Sequence, residues 1–280
     1  MAEAVSITDV AQRAGVSIAT VSHVLNSTKA VSPKTRAKVE AAVAELGYRV
    51  NAFGRSLRRG KSGVVLVLVP DFTNPFHGEA IAGIAATTQK HGYNLLLADA
   101  GDLWSRGEVE LEAMYTRLTD GVISLAPMPS DRDLSVLVPD LPWVACSEFL
   151  PDLNVPYVSI DHRKAAQDAV QYLVNQGHRR IGLINTDERF LYARQRRLGY
   201  ETALQRAGLE PDPALNIATG PRGTDYVHGA QAAAALLALE RQPTAIFAVS
   251  DRLAIGAMKT LRKAGRRIPA DVAVVGFDNS

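Results

Sequence analysis

The sequence contains only one cysteine, Cys146, and no hydrophobic run that approaches the roughly 18 residues of a membrane-spanning helix. A single cysteine excludes an internal disulfide and is typical of a reducing cytosol, although cysteine-poor periplasmic proteins also exist. The first ten residues lack a basic segment followed by an apolar one, so we predict no secretory signal. These absences favour a cytoplasmic protein without a membrane partner.

The usual motifs of catalysis and nucleotide binding are also missing. No G-x-G-x-x-G follows a strand-like run, and neither a P-loop nor a G-x-S-x-G is present. Five histidines are scattered without the spacing of metal ligands: His77, His91, His162, His178 and His228. We therefore expect no enzyme, no cofactor and no metal site, and binding without chemistry is the simpler interpretation.

A net charge of +2 over 280 residues conceals an uneven distribution. Residues 1–62 hold ten of the 31 Lys and Arg but only four of the 29 Asp and Glu, a net charge of +6. The remaining residues carry a net charge of −4. A basic N-terminal segment on a mildly acidic body suggests a polyanionic partner for that segment alone, although a solvated basic face has the same composition.

Two short helices with a glycine between them are predicted in the segment SITDVAQRAGVSIATVSHVLN. Ser6 and Asp9 form an S-x-x-D capping box, so the first helix begins near Ile7. Gly15 follows where that helix ends, and Ser17 can cap the second helix. Because isolated helices this short are marginal in water, another element must complete their core.

A third helix is predicted from VSPKTRAKVEAAVAELGY, with Ser32 as its cap, Pro33 as its first residue and Gly47 at its end. Two helices joined by a glycine turn and supported by a third make a helix-turn-helix module, which we place at residues 1–50. The alternative is an all-α bundle used for protein contacts. The basic charge and the polar face of the second helix favour DNA.

The second helix is expected to present its polar face to the major groove of double-stranded DNA. Ile18 and Ala19 could touch thymine methyl groups, and His23 could hydrogen-bond a base edge. Ser22 is placed on the same face of the helix. Phosphate contacts, which hold the register without reading sequence, are expected from Ser17, Thr20, Asn26 and Tyr48.

Residues 51–62 are predicted to be a linker that becomes a short helix on DNA. Asn51 can cap such a helix, in which Arg55 lies beside Leu57. Gly54 costs this helix about 1 kcal/mol relative to alanine, and isolated helices below about 12 residues are marginal in water. Paired across a dimer, two such helices could enter the minor groove, where Leu57 would wedge between base pairs. A plain flexible linker is the alternative.

From Gly63 onward, apolar runs alternate with amphipathic stretches. The runs are VVLVLV, YNLLLAD, GVISLA, WVACS and YVSI, then RIGLIN, LNIAT, AIFAVS and VAVVGF. Continuous apolar strands indicate parallel sheets that are covered on both faces. Two successive sets of strand–helix units predict an α/β body of two doubly wound subdomains, residues 63–161 and 162–280.

Ligands of such sheets bind outside the carboxyl ends of the strands. Phe76 and His77 follow the first strand and are expected to face the crevice. An arginine-rich stretch follows RIGLIN, and Asp251 and Asp278 follow the last strands. An aromatic side chain with an arginine–aspartate pair suits a sugar or another hydroxylated small molecule. Helix caps and surface ion pairs would produce the same pattern, so both interpretations stay open.

Several segments occur in an order that is typical of one known family. They begin with ITDVAQRAGVSIATVSHVLN and GRSLR, and continue with VLVPDFTNPFHGEAIAGI, DGVISL, GHRRIGLI, AIFAVSDRLAIGAM and DVAVVGFDN. Over nearly its whole length the chain resembles the lactose/galactose repressor family of bacterial transcription regulators. The resemblance implies a homodimer on a pseudo-palindromic operator and a type I periplasmic-binding-protein-like body that senses an effector.

The resemblance also implies roles for particular residues. Base reading falls on Ile18, Ala19, Thr20 and His23, and the minor-groove wedge on Leu57. Effector contacts fall on Phe76, His77, Asp161, Tyr192, Arg196, Asp251 and Asp278.

Three features depart from the family's pattern. Gly54 stands where the family usually has alanine, which should weaken the hinge helix. Thr224 stands where an aromatic residue often forms one wall of the pocket. The chain also stops at Ser280, just after GFDN, where the family runs on, so we expect a C-terminally truncated body.

We therefore expect a transcriptional repressor, associated with nucleoid DNA in a bacterial cytoplasm, whose operator binding is controlled by a small effector such as a sugar. The alternative is a solute-binding protein for sugar uptake. The missing secretory signal and the basic N-terminal segment argue against that alternative.

Overall fold

The chain divides into two compact units, residues 1–62 and 63–280. The computed structural model describes residues 5–48, 61–101, 118–126, 141–149, 155–220 and 223–280. None of the helices within these ranges is both long and apolar enough to cross a membrane.

The first unit consists of three helices: α1 (Ile7–Ala14), α2 (Ile18–Asn26) and α3 (Pro33–Leu46). The capping box predicted for α1 is confirmed, since the Ser6 hydroxyl accepts from the Asp9 amide and the Asp9 carboxylate accepts from the Ser6 amide. Gly15 ends α1 with a φ of 65°, a left-handed conformation that glycine adopts at little cost. The tight turn that follows allows α2 to begin three residues later.

The core of this unit is small and comes from all three helices. Val10, Val21 and Val39, one from each helix, have no exposed surface, and Val24 and Ala42 are also buried. Full burial of one such aliphatic side chain contributes about 1.5–3 kcal/mol, so the third helix supplies what α1 and α2 lack. The outward face of α2 is thereby left without a packing role.

The first sheet of the second unit has five strands, and its described crossover helix is α4 (Pro75–Lys90). The strands are β1 (Val64–Val69), β2 (Asn94–Asp99), β3 (Gly121–Ser124), β4 (Trp143–Cys146) and β5 (Tyr157–Val158). They lie in the order β2-β1-β3-β4-β5 and every pair is parallel, as predicted from the apolar runs.

The second sheet has the order β7-β6-β8-β9 and is also parallel throughout. Its strands are β6 (Ile181–Asn185), β7 (Asn216–Ala218), β8 (Ala245–Ala248) and β9 (Ala273–Val275). Its helices are α5 (His162–Asn175), α6 (Leu191–Arg206), α7 (Tyr226–Leu237) and α8 (Asp251–Lys263). Both sheets thus confirm the predicted doubly wound architecture.

The strand order reverses direction between β1 and β3 in the first sheet and between β6 and β8 in the second. Ligands of open α/β sheets bind in the crevice at such switch points, outside the carboxyl ends of the strands. Helix α6 follows β6 there and packs closely on α5. The close approach requires Gly199, since a Cβ at this position would lie 2.3 Å from the Arg163 carbonyl oxygen. Arg196 of α6 donates to the carbonyl oxygen of Val249 just after β8, so the first half of α6 lies beside the strand ends.

Candidate DNA-binding surface and effector site

Helix α2 presents several of the residues that were predicted to contact DNA. Ile18 keeps 44% of its surface exposed although it is a large aliphatic residue, and Ala19 beside it is also exposed. The Ser17 hydroxyl caps the helix by accepting from the Thr20 amide at 3.1 Å. The N-terminal turn of α2 is therefore capped and uncovered within its unit, as is required of a helix that enters the major groove.

Two other predicted residues on α2 are held by local hydrogen bonds. His23 Nδ1 lies 2.8 Å from the Thr28 hydroxyl, which fixes the orientation of the ring. The Asn26 side-chain amide donates to the Ser22 carbonyl at 2.9 Å, within its own helix.

The prediction for Ser22 is wrong as regards its position. Ser22 was placed on the exposed face, but it is buried, with only 8% of its surface exposed. Helical spacing puts it three residues before Leu25, which packs against the core, so it belongs to the side of α2 that faces the bundle. Tyr48 is partly buried and packs against the same core. Arg55 and Leu57 lie outside the described residues.

The same unit also carries exposed lysines, one just after α2 and two on α3. Lys29, Lys34 and Lys38 are all exposed. Of the basic residues described in this unit, Arg13 is paired with Glu45 at 2.6 Å and Arg36 with Glu40 at 3.8 Å. The lysines therefore supply positive charge that can neutralise phosphates.

In the second unit, Arg196 is the centre of a buried polar cluster at the ends of three strands. Its guanidinium, 4% exposed as a residue, donates to the carbonyl oxygen of Val249, which follows β8. It also pairs with the carboxylate of Asp278, which follows β9, with 3.3 Å between Nη1 and Oδ1. The predicted arginine–aspartate pair is thus formed by these two residues.

Aromatic rings surround this arginine. The guanidinium carbon lies 3.5 Å from the centroid of the Phe277 ring and 5.0 Å from that of the Tyr192 ring. The His162 ring lies within 6.4 Å of both aromatic rings, measured between centroids. Polar groups lined by apolar ring faces are the usual way in which proteins bind small hydroxylated ligands.

Burial shifts the pKa values of the groups around Arg196. It raises the pKa of Asp278 to about 6, although the charge of Arg196 opposes the shift. It lowers the pKa of His162 to about 4, and the charge of Arg196 acts in the same direction. It also raises the pKa of Tyr192 well above its usual range. Such shifts are typical of binding sites.

The backbone of Asp278 is strained as well, with a φ of 101° at a residue that is not glycine. A conformation of this kind costs of the order of 1–3 kcal/mol and occurs most often at functional sites.

A second polar group lies beside the end of β1. His77 is buried, and its Nδ1 is 2.8 Å from the carbonyl oxygen of Asp71, while burial lowers its pKa. The Asp71 carboxylate pairs with Arg252 of α8 at 2.5 Å, which links the two subdomains of this unit. Phe76 is half-buried and packs edge-on against His77, with 5.6 Å between the ring centroids.

The two remaining predicted effector residues begin helices. Asp161 is exposed and caps α5 by accepting from the Lys164 amide at 2.9 Å, which is the helix-cap interpretation that the sequence left open. Asp251 is the first residue of α8, and its carboxylate accepts from the Ser280 amide at 2.9 Å. Asp251 thereby lies against the loop that carries Asp278.

Sequence reasoning missed three residues that the structure places next to Arg196 or its helix. They are His162, Phe277 and Glu148. His162 and Phe277 contact the guanidinium, and Glu148 binds the first turn of α6 from the other subdomain. Two features of the sequence could have indicated Glu148. It follows the strand run WVAC, and α6 begins after Phe190, whose side chain cannot cap a helix, so a cap from elsewhere was needed. Among the described residues, no three His, Cys, Asp or Glu side chains form a metal site.

A three-helix unit with an uncovered recognition helix, followed by a two-sheet α/β unit with a buried polar site at its strand ends, defines a ligand-responsive DNA-binding regulator. The family described as "Bacterial regulatory proteins, lacI family" matches residues 6–51. The family described as "Periplasmic binding proteins and sugar binding domain of LacI family" matches residues 62–280. The chain therefore belongs to the LacI family of transcriptional regulators.

Similar proteins of known role extend over the whole chain. The HTH-type transcriptional repressor CytR of Escherichia coli (strain K12) is 39% identical over 277 residues, which are 99% of this chain and 80% of that protein. Catabolite control protein A of Priestia megaterium is 34% identical over 280 residues, 99% of this chain and 83% of that protein. These relatives are regulators and not enzymes.

Solved structures agree with the architecture. The lac repressor dimer bound to operator and the anti-inducer ONPF superposes with a TM-score of 0.86 at 26% identity, over 99% of this chain and 83% of that one. The complex of the transcriptional regulator CelR with cellobiose gives a TM-score of 0.68 at 32% identity, over the same shares.

Proposed function

We propose that the protein is a cytoplasmic, nucleoid-associated repressor that binds a pseudo-palindromic operator as a homodimer and changes its affinity when a small hydroxylated metabolite binds. The observation that carries the proposal is the presence in one chain of an uncovered α2 face and of the buried Arg196 site. Neither feature has a structural need: the α2 face is not used for packing in its unit, and buried charges are costly without a functional return.

Major-groove reading is assigned to the N-terminal half of α2. Ile18 and Ala19 are uncovered and apolar, which suits contact with thymine methyl groups, and His23 offers a polar ring beside them. Ser17, Thr20, Asn26 and Tyr48 are assigned to phosphates, together with the exposed lysines. Ser22 is buried and receives no DNA contact in this proposal.

Minor-groove binding is assigned to Arg55 and Leu57, which lie outside the described residues. A pair of leucines, one from each protomer, would unstack a base step and kink the duplex. Leu57→Ala should weaken operator binding while effector affinity stays unchanged. Equal loss of both affinities would remove the wedge from the proposal.

The effector is assigned to the crevice at the strand ends. Tyr192, Arg196 and Asp278 form its polar centre, and Asp251 and Asp161 lie at its margins. Phe76 and His77 are assigned to the opposite wall, on the first subdomain. Such a crevice changes shape when its two subdomains close on a ligand, and couplings of about 1–3 kcal/mol between sites are typical of such transitions.

A gel-shift titration across salt concentrations tests the DNA-binding part of the proposal. The logarithm of the affinity should fall with the logarithm of salt concentration by about 0.9 for each phosphate that the protein neutralises. An operator found by selection from random duplexes should bind well above competitor DNA. A protein without preference for any duplex would refute the proposal.

A thermal-shift screen of sugars and nucleosides, followed by gel shifts, tests the effector part. Arg196→Lys keeps the charge but loses the planar fork that pairs with Asp278, Val249 and His162 together. This variant should still bind operator but should lose its response to the effector. A normal response would move the effector site elsewhere.

A further inference from the structure

The N-terminus of α6 is capped by a side chain from the other subdomain. Phe190 precedes the helix and provides no side-chain cap. Instead, Glu148, which follows β4 of the first sheet, accepts from the Leu191 amide through Oε2 and from the Tyr192 amide through Oε1, both at 2.9 Å. Glu148 is only 6% exposed, so this contact is removed from solvent.

Both carboxylate oxygens are used as acceptors, which is the pattern of an ionised group. Burial raises the pKa of Glu148, while the two amide hydrogen bonds and the positive charges of Arg196 and Arg194 oppose that rise. The first turn of a helix with two arginines beside it is the arrangement in which proteins bind phosphate and carboxylate groups. Here a carboxylate of the protein itself occupies the position.

The neighbouring guanidinium groups also have hydrogen-bond partners within the protein. Arg196 pairs with Asp278 at 3.3 Å, and Arg194 donates to the Glu188 carbonyl at 3.0 Å. An effector with a negative group would therefore bring a third acid to a region that already holds Glu148 and Asp278. Repulsion between like charges in this buried region would disfavour such an effector.

We propose that Glu148 is a specificity-determining residue: its carboxylate holds the anion position at the N-terminus of α6, so that the site accepts effectors without a phosphate or carboxylate group at this end. The proposal rests on the assignment of the effector to the crevice beside Arg196. It narrows the effector class to uncharged hydroxylated compounds, such as unphosphorylated sugars and nucleosides.

The test removes the carboxylate and asks whether an anion takes its place. In Glu148→Ala, the amides of Leu191 and Tyr192 lose their acceptor, and inorganic sulfate or phosphate can replace it. Millimolar sulfate should raise the Tm of this variant by about 2 °C more than it raises that of the wild type. Chloride at matched ionic strength should give no such difference.

Glu201→Gln is the matched control. It removes a carboxylate from the same helix, where Glu201 pairs with Arg197 at 2.5 Å, but it leaves the N-terminus of α6 capped. Its response to sulfate should equal that of the wild type. If Glu148→Ala does not fold, Glu148→Ser serves instead, because its short side chain also leaves the amides of Leu191 and Tyr192 open to an anion.

An equal response to sulfate in the wild type and in the foldable Glu148 variant would overturn the proposal. The measurement uses neither DNA nor effector, so its failure would leave the repressor assignment standing. Failure of operator binding, conversely, would leave the anion result unchanged.

Discussion

The imidazole of His162 accepts a hydrogen bond from the guanidinium of Arg196, with 3.2 Å between Nδ1 and Nη2. Arginine has only donors, so Nδ1 must carry the lone pair and the ring proton must be on Nε2. Nε2 lies 3.4 Å from the Ser159 hydroxyl, which in turn donates to the Ser147 carbonyl at 3.0 Å. A continuous chain of donors thus leads from Arg196 to the crossover between the two subdomains.

This chain predicts the tautomer of His162. Its ring should be neutral, with the proton on Nε2, throughout the range above pH 5. Protonation of Nδ1 would remove the acceptor for the Arg196 guanidinium and place a second positive charge beside it. Nitrogen-detected NMR of histidine-labelled protein measures both the tautomer and the pKa. An Nδ1–H tautomer, or titration near pH 6.5, would contradict the assignment.

His162 and Asp278 should oppose each other in the pH dependence of stability. The folded pKa of His162 is about 4 and its unfolded value is about 6.5, so the unfolded state binds more protons between these values and stability falls as the pH falls. The folded pKa of Asp278 is about 6 against an unfolded value of about 3.9, so protonation there favours the folded state over the same range.

Asp278→Asn removes the second effect and leaves the first. The free energy of unfolding of this variant should therefore fall more steeply than that of the wild type between pH 6 and pH 4, by an extra amount of up to about 3 kcal/mol. Urea titrations at several pH values measure this. The exposed acid Asp168, paired with Lys164, provides the control Asp168→Asn, whose profile should follow the wild type. Parallel profiles for all three proteins would refute the prediction.

Ile18→Ala should reduce sequence preference without changing the electrostatics of DNA binding. The loss of an apolar base contact typically costs about 1–3 kcal/mol at the base pair concerned, so preference for operator over a variant duplex should fall by about fivefold or more. The salt slope should be unchanged, because Ile18 neutralises no phosphate. Competition gel shifts at two salt concentrations measure both quantities.

Glu45→Gln is the control for this experiment. It removes the exposed ion pair between Arg13 and Glu45, which joins α1 to α3 and leaves α2 untouched. Such pairs contribute about 0–1 kcal/mol to stability, so preference among duplexes should stay as in the wild type. A loss of preference in this variant equal to that in Ile18→Ala would show that the latter acts through stability.

The ion pair between Asp71 and Arg252 should be asymmetric in its effect on stability. Arg252 is buried, and its Nε has no hydrogen-bond partner among the residues that the structure describes, whereas the Asp71 side chain is 32% exposed. Asp71→Asn leaves a buried charge without its acid and should destabilise the protein. Arg252→Met removes the charge but keeps an apolar stem, while Asp71 can be solvated.

Urea unfolding of the two single variants and of the double variant tests this asymmetry. Asp71→Asn should cost more than Arg252→Met, and the double variant should be close to Arg252→Met alone. A larger loss for Arg252→Met would mean that its stacking on Tyr226, at 5.6 Å from the ring centroid, outweighs the buried charge.

Local features were predicted from the sequence because their causes are local. Ser6, Gly15, Ser17 and Gly47 cap or end their helices as expected, since a cap depends on residues within one turn. The strands were predicted because a continuous apolar run is also a local pattern. Ser22 shows the limit of periodicity, because it was placed on the outer face of α2 and packing within the three-helix unit buries it.

The sequence by itself determined the helix-turn-helix segment, the alternation of strands and helices, and the arginine and aspartate that form the polar centre of the site. Only the tertiary structure decided what surrounds Arg196. His162 and Phe277 are 34 and 81 residues from Arg196 along the chain, and Glu148 is 43 residues from Leu191, whose amide it binds. No local pattern encodes those contacts. They exist because parallel strands bring their carboxyl ends to one edge of a sheet, where distant segments meet.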